Sequence, residues 1–265
     1  MSRPTALYFL LTYALSWCAW VPMALQGQLV LSGVPTWLHL AGAFGPLLAA
    51  FIVAPWTAGR QGVRDLFSRM TRWRIGWGWL LIAAFTPVAV FGVVVLVMRL
   101  VTGTWQAASG FGQVAELPGL GWLAGWLAWI FTFGLGEETG WRGFALPRLQ
   151  ARHSARDASL ILGLLWAGWH APAFFYNYEL SLFAVVAFVV SIVAGAMVLT
   201  WLFNSTGGSV LATALWHGSY NAAVAGGDAA VSAAVTAAVI LAFIVIVRRY
   251  GPETLSHRPK QVLVD

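Results

Sequence analysis

The sequence predicts an all-α fold, a polytopic transmembrane helix bundle of about eight spans with an intramembrane cavity open to the cytoplasmic side. Composition is the first reason: 60% of the 265 residues are hydrophobic and 9% are charged, whereas a soluble domain carries roughly 25% charged residues. Mean hydropathy is +0.77. The second reason is the shape of the apolar runs, which are continuous and of helix length; an outer-membrane barrel would show alternating segments of about ten residues. The third is where the charge sits. Arginines cluster in short loops beside the runs, so the net charge of +6 reports orientation and not a nucleic-acid partner.

The first run, Thr5 to Leu25, follows a single Arg3, is too long for a signal-peptide core and has no A-x-A-like end, so it reads as an uncleaved span. It holds Cys18, the only cysteine, which leaves no disulfide framework or thiolate metal site within one chain. The second, Pro35 to Trp56, contains Gly45-Pro46, which breaks the hydrogen-bond ladder and predicts a kink. Before the third run, Trp77 to Val101, the segment Arg60 to Arg74 sets Val63, Leu66, Phe67 and Met70 at helical spacing among arginines, the pattern of an amphipathic helix on the inner leaflet. The remaining spans are Leu120 to Leu146, Ala158 to Phe175, Leu180 to Phe203, Ser209 to Ala225 and Ala229 to Val247. Residues 1–250 are expected to form a single transmembrane domain with its motifs in 120–225, and 251–265 a mobile cytoplasmic tail.

Alternate loops differ in charge. One set carries Arg3, then Arg60, Arg64, Arg69, Arg72 and Arg74, then Arg148, Arg152 and Arg156, then Arg248, Arg249, Arg258 and Lys260. The other carries Glu116, Glu179 and Asp228, with only Arg99 near. The positive-inside bias then predicts a multi-pass protein of the cytoplasmic membrane with both termini cytoplasmic.

Against this apolar background the stretch GLGEETGWRGFALPRL stands out. Ionised side chains at membrane depth cost several kcal/mol unless paired or functional. Glu138 and Arg142, four apart, share a helix face and are expected to form an ion pair, leaving Glu137 on another face to serve a cavity; the three charges can also be read as a purely structural network. Of five histidines, His39, His153 and His257 lie near span ends or in polar segments and read as solvated or interfacial. His170, in WAGWHAPAFF, and His217, in ALWHGSYN with Asn221 one turn on, lie within apolar spans. At ~1.5 Å per residue, Glu137, His170 and His217 fall at similar depth in the inner half of the bilayer.

The sequence has no nucleophile elbow, H-E-x-x-H or phosphate loop. The groups at hand suit activation of water, with Glu137 taking a proton, His170 positioning the water, and His217 and Asn221 donating to an oxyanion. The alternative is a catalytic zinc held by Glu137, His170 and His217. No metal or other cofactor is expected, because Asn221 suits a hydrogen-bond donor and no carboxylate lies near either histidine in sequence to orient a zinc ligand.

At these positions the chain resembles the CPBP family of intramembrane proteases, which includes the type II CAAX prenyl endopeptidases and the bacteriocin-processing and immunity-type proteins. The family's E-E-x-x-x-R motif is matched by Glu137, Glu138 and Arg142, its aromatic-x-x-x-H motif by Trp166 and His170, and its H-x-x-x-N/D motif by His217 and Asn221. Trp166 stands where Phe is the common residue. The resemblance implies an eight-helix core in which Glu137 and His170 activate water and His217 and Asn221 form the oxyanion site. The expected activity is cleavage of a peptide bond in a membrane-associated protein or peptide, with the bilayer as the other partner. The rivals are a non-catalytic immunity or scaffold protein of the same fold, and a transporter; polar residues confined to one leaflet disfavour a through path.

Overall fold

The computed structural model describes residues 1–26, 37–103, 105, 111–117, 119–178, 180–225 and 229–264. It is all-helical among them. Helices α1 (Arg3–Gln26), α2 (Trp37–Gly42), α3 (Gly45–Met70) and α4 (Trp77–Thr102) lead into a continuous helical run from Trp122 to Gln150. That run is α5 (Trp122–Trp129), a π segment (Ile130–Leu135), α6 (Gly136–Glu138), a second π segment (Thr139–Ala145) and α7 (Leu146–Gln150). It is followed by α8 (Ala155–Trp169), a 3₁₀ turn (Ala171–Phe175), α9 (Leu182–Ser205), α10 (Val210–Val224) and α11 (Ala229–Tyr250).

Among the described residues six helical stretches are long and apolar enough to cross a membrane. The other two expected spans are the Trp122–Gln150 run, interrupted by its π segments, and α10. At 15 residues and ~1.5 Å each, α10 is about 22 Å long, short of a ~30 Å hydrocarbon core. Leu96, Val97 and Leu100 of α4, Val186 and Val190 of α9, and Leu241 and Val245 of α11 are exposed, as a lipid-facing rim requires. Two expected carboxylates, Glu179 and Asp228, and Pro35 lie outside the described residues.

Lipid tails are as apolar as leucine, so helices in a bilayer associate by close packing of small residues. Ala49, Ala50 and Ala54 of α3, Ala158 of α8, Ala196 of α9 and Ala212 of α10 are fully or almost fully buried. Gly140 is the tightest such contact around the acidic motif: a Cβ there would overlap the Pro46 carbonyl and the Tyr8 hydroxyl. Around it Tyr8 stacks on Phe144 at 4.8 Å, and Trp141 meets Trp169 edge-on at 5.7 Å.

Gly45-Pro46 breaks the ladder within the membrane-length stretch Trp37–Met70, as expected: α2 ends at Gly42 and α3 begins with Pro46 in its first turn, where a missing N–H costs nothing. Two expectations are corrected. The Arg60–Met70 segment is helical, separated from the first part of α3 by a break at Ala58 and Gly59 (φ 54°). Its inward face carries Leu66 and also Arg69, which is bonded to Asp65 at 2.7 Å, while Phe67 points outward, so the apolar stripe is not the one expected. The segment after Tyr250 is docked and not mobile. Pro252 and Glu253 carbonyls accept from the N–H groups of Arg156 and Ala155 at the start of α8, both at 3.0 Å. Further along, the Gln261 carbonyl accepts from Gln150, and its N–H donates to Asn204.

Candidate active site

Glu137 and Glu138 sit on α6, a single turn held between two π segments. Each i→i+5 insertion re-aims the residues after it, and such segments favour functional positions. The run from Gly136 to Gln150 is buried throughout. Arg142 and Glu138 form the expected ion pair at 2.8 Å, both fully buried. Glu138 does more than this, because the same oxygen, Oε1, also faces Nδ1 of His217 at 2.9 Å. A carboxylate paired with arginine accepts only, so the Nδ1 proton is on His217.

His170 lies within the membrane-length stretch Ala155–Phe175, as its apolar surroundings suggest, at the junction of α8 and the 3₁₀ turn. It caps α8, whose last carbonyls have no further N–H to meet. The His170 N–H turns to the Ala167 carbonyl at 3.1 Å, and Pro172 cannot continue the ladder. The Trp166 carbonyl thereby becomes available, and His170 Nδ1 bonds it at 2.9 Å. A carbonyl only accepts, so Nδ1 carries the hydrogen and neutral His170 presents its lone pair at Nε2.

Trp166 ties these groups together. Its indole Nε1 donates to Glu137 Oε2 at 2.6 Å, its ring lies under the Arg142 guanidinium at 4.6 Å, and it meets the His217 ring edge-on at 5.3 Å. Glu137 is therefore not free of partners. The Trp166 donor is not legible in the sequence, because 29 residues separate it from Glu137.

Glu137, His170, His217 and Asn221 all line one cavity of about 1050 Å³, together with Trp166. So do His39 and Glu116, which the sequence placed in polar or interfacial surroundings; both are buried. His39 Nδ1 bonds the Tyr176 hydroxyl at 2.8 Å, and its Nε2 stands 3.8 Å from Glu116. Burial raises the Glu116 carboxyl above its ordinary value. The available signal was Glu116 itself, a lone carboxylate near an apolar span. His153 and His257 are exposed, as expected.

The cavity's position in the bundle differs from expectation. Its wall includes Gln113, Gly119 and Leu120, Asn177 and Tyr178, and Val224 and Ala225. These lie in or at the edge of the connections from α4 to α5, α8 to α9 and α10 to α11, and Gly112 N–H bonds the Ala222 carbonyl in the last turn of α10. The arginine-rich connections form the other end, where Arg72 bonds the Gly207 carbonyl and Leu263 N–H bonds Pro147. Arginine loops inside and a cavity opening on the same side are not both satisfied by this arrangement.

Both histidines have the Nδ1 acceptor that an imidazole metal ligand needs, so one sequence argument against zinc does not hold for His217. Yet among the described residues no three of His, Cys, Asp and Glu converge closely enough to hold an ion, so this geometry does not fit a metal.

Residues 118–223 match the family model described as type II CAAX prenyl endopeptidase, Rce1-like. The chain is also 24% identical over 222 residues, 80% of each chain, to a CAAX prenyl protease 2 of Methanococcus maripaludis. The matched segment holds all three motifs and every polar group just described around Trp166, so over this stretch the chain is similar to the Rce1-like, type II CAAX prenyl endopeptidases.

Proposed function

We propose that the chain is an intramembrane endopeptidase that hydrolyses a peptide bond of a membrane-associated protein or peptide with water activated between Glu137 and His170. The observation that carries this reading is the fixed direction of the polar atoms. With Oε2 engaged by Trp166, Oε1 is the Glu137 oxygen left for a water; with Nδ1 engaged by the Trp166 carbonyl, His170 has a lone pair at Nε2 for the same water. Water attacks the carbonyl carbon as Glu137 takes its proton. The oxyanion forms against the Asn221 amide and His217 Nε2, and the C–N bond then breaks as the proton passes from Glu137 to the leaving nitrogen. Because His217 Nδ1–H is committed to Glu138, Nε2 donates only when the ring is an imidazolium, with Glu138 as its counter-ion.

The relative's name extends the proposal to substrates. Trp20, Trp129, Phe133, Phe188, Ile192 and Val239 give the cavity apolar walls suited to a prenylated peptide. The test is cleavage of a quenched fluorescent peptide, with and without a prenyl group, by protein reconstituted in liposomes. Wild type is expected to cleave and Glu137→Gln to lose at least a thousandfold in kcat while its melting temperature is unchanged, the scale expected for loss of a general base together with its oriented water. Retained activity in Glu137→Gln overturns the mechanism. Activity lost to a chelator and restored by zinc recasts Glu137, His170 and His217 as ligands.

A further inference from the structure

We infer that the indole N–H of Trp166 is a positioning group for catalysis, selecting which oxygen of Glu137 meets the water; the inference rests on the hydrolytic reading above. Trp166 is 3% exposed and Glu137 1%, so their 2.6 Å hydrogen bond is made away from bulk water. There a donor to a carboxylate is worth more than at a surface. A glutamate has two chemically equivalent oxygens and three side-chain torsions. Without a donor fixing Oε2, its carboxylate can rotate and the water-facing oxygen is no longer held.

Trp166 does this from a residue that already orients His170, through a different atom. The backbone carbonyl holds the imidazole at Nδ1, and the side-chain N–H holds the carboxylate at Oε2. One residue, rigidly seated by Arg142 over its ring face and His217 at its edge, thus sets both partners of the water relative to each other. Holding both partners from one rigid frame is how a site keeps reacting atoms in near-attack geometry. The two functions are separable by substitution, because the carbonyl survives any side-chain change. Phenylalanine would keep an aromatic face for Arg142 and donate nothing to Glu137.

The experiment replaces the donor and keeps the ring. Trp166→Phe, and in parallel Trp166→β-(3-benzothienyl)alanine, which has the bicyclic shape of tryptophan with sulfur in place of N–H, are assayed in liposomes beside wild type and Glu137→Gln. Both variants are expected to lose roughly tenfold to a hundredfold in kcat, the range of a hydrogen bond to a charged group, with KM changed less than threefold and the benzothienyl variant melting at the wild-type temperature. A merely structural Trp166 would instead give a Phe variant that is destabilised and a benzothienyl variant with full kcat. The inference is overturned by full kcat in the benzothienyl variant, whatever Phe does. Activity in Glu137→Gln overturns the underlying reading as well, whereas an inactive Glu137→Gln beside a fully active benzothienyl variant removes the inference alone.

Discussion

Glu138 accepts from Arg142 at 2.8 Å and His217 at 2.9 Å on one oxygen, so its removal has two consequences that a simple ion pair would not. Glu138→Ala leaves a fully buried guanidinium without its carboxylate, a loss of roughly 3 to 5 kcal/mol of stability. It also frees His217 to change tautomer and lose its counter-ion. Glu138→Ala is therefore expected to lower both the thermal unfolding temperature in detergent and kcat, whereas Glu137→Gln lowers kcat alone. A Glu138→Ala protein with wild-type kcat would show that His217 needs no carboxylate. The Glu138–Arg142 half of this arrangement is legible in the sequence, because i,i+4 neighbours on a helix meet whatever surrounds them. The His217 half joins residues 79 apart, and no local rule reaches across that distance.

Elements end where backbone chemistry ends them, and here hydropathy was a poor guide. The apolar run through His170 continues to Phe175, but α8 stops at Trp169 because Pro172 interrupts the ladder. The π segments around α6 left no sequence signal at all. The tail is the sharpest case. Residues 251–265 look like a polar appendage, yet Gln150 and Asn204 exchange a reciprocal amide pair at 3.2 and 2.8 Å. Their remaining capacity goes to the Gln261 carbonyl, the Thr254 carbonyl and the Gln261 N–H. Leu255 is fully buried. Ending the chain after Gly251 would strip those partners and the two carbonyl acceptors at the start of α8. At about 1 kcal/mol per net hydrogen bond, truncation is expected to cost roughly 3 to 5 kcal/mol, read as a lower unfolding temperature. An unchanged temperature would restore the mobile tail.

At the scale of the whole molecule the fold class was legible because composition and run length leave few alternatives, and helix order followed from the runs themselves. Sidedness is different, since it combines a charge rule with a cavity position that only packing sets. The arginine loops and the docked tail share one end, and the cavity is walled by the connections at the other. We propose that the charge rule prevails, because Arg60 and Arg64 in the last part of α3 and Arg72 and Arg74 in the short connection to α4 cluster beside a span end, where the bias acts most strongly. The cavity then faces the outer side or the outer leaflet, and substrate reaches Glu137 from there. In a Cys18→Ser background, Ser68→Cys marks the arginine end and Ala115→Cys the cavity end, both positions being exposed. A membrane-impermeant maleimide is expected to label Ala115→Cys in intact cells and Ser68→Cys only after permeabilisation. The opposite pattern would place the termini outside and the cavity toward the cytoplasm, where a substrate carried on the inner leaflet would meet it directly.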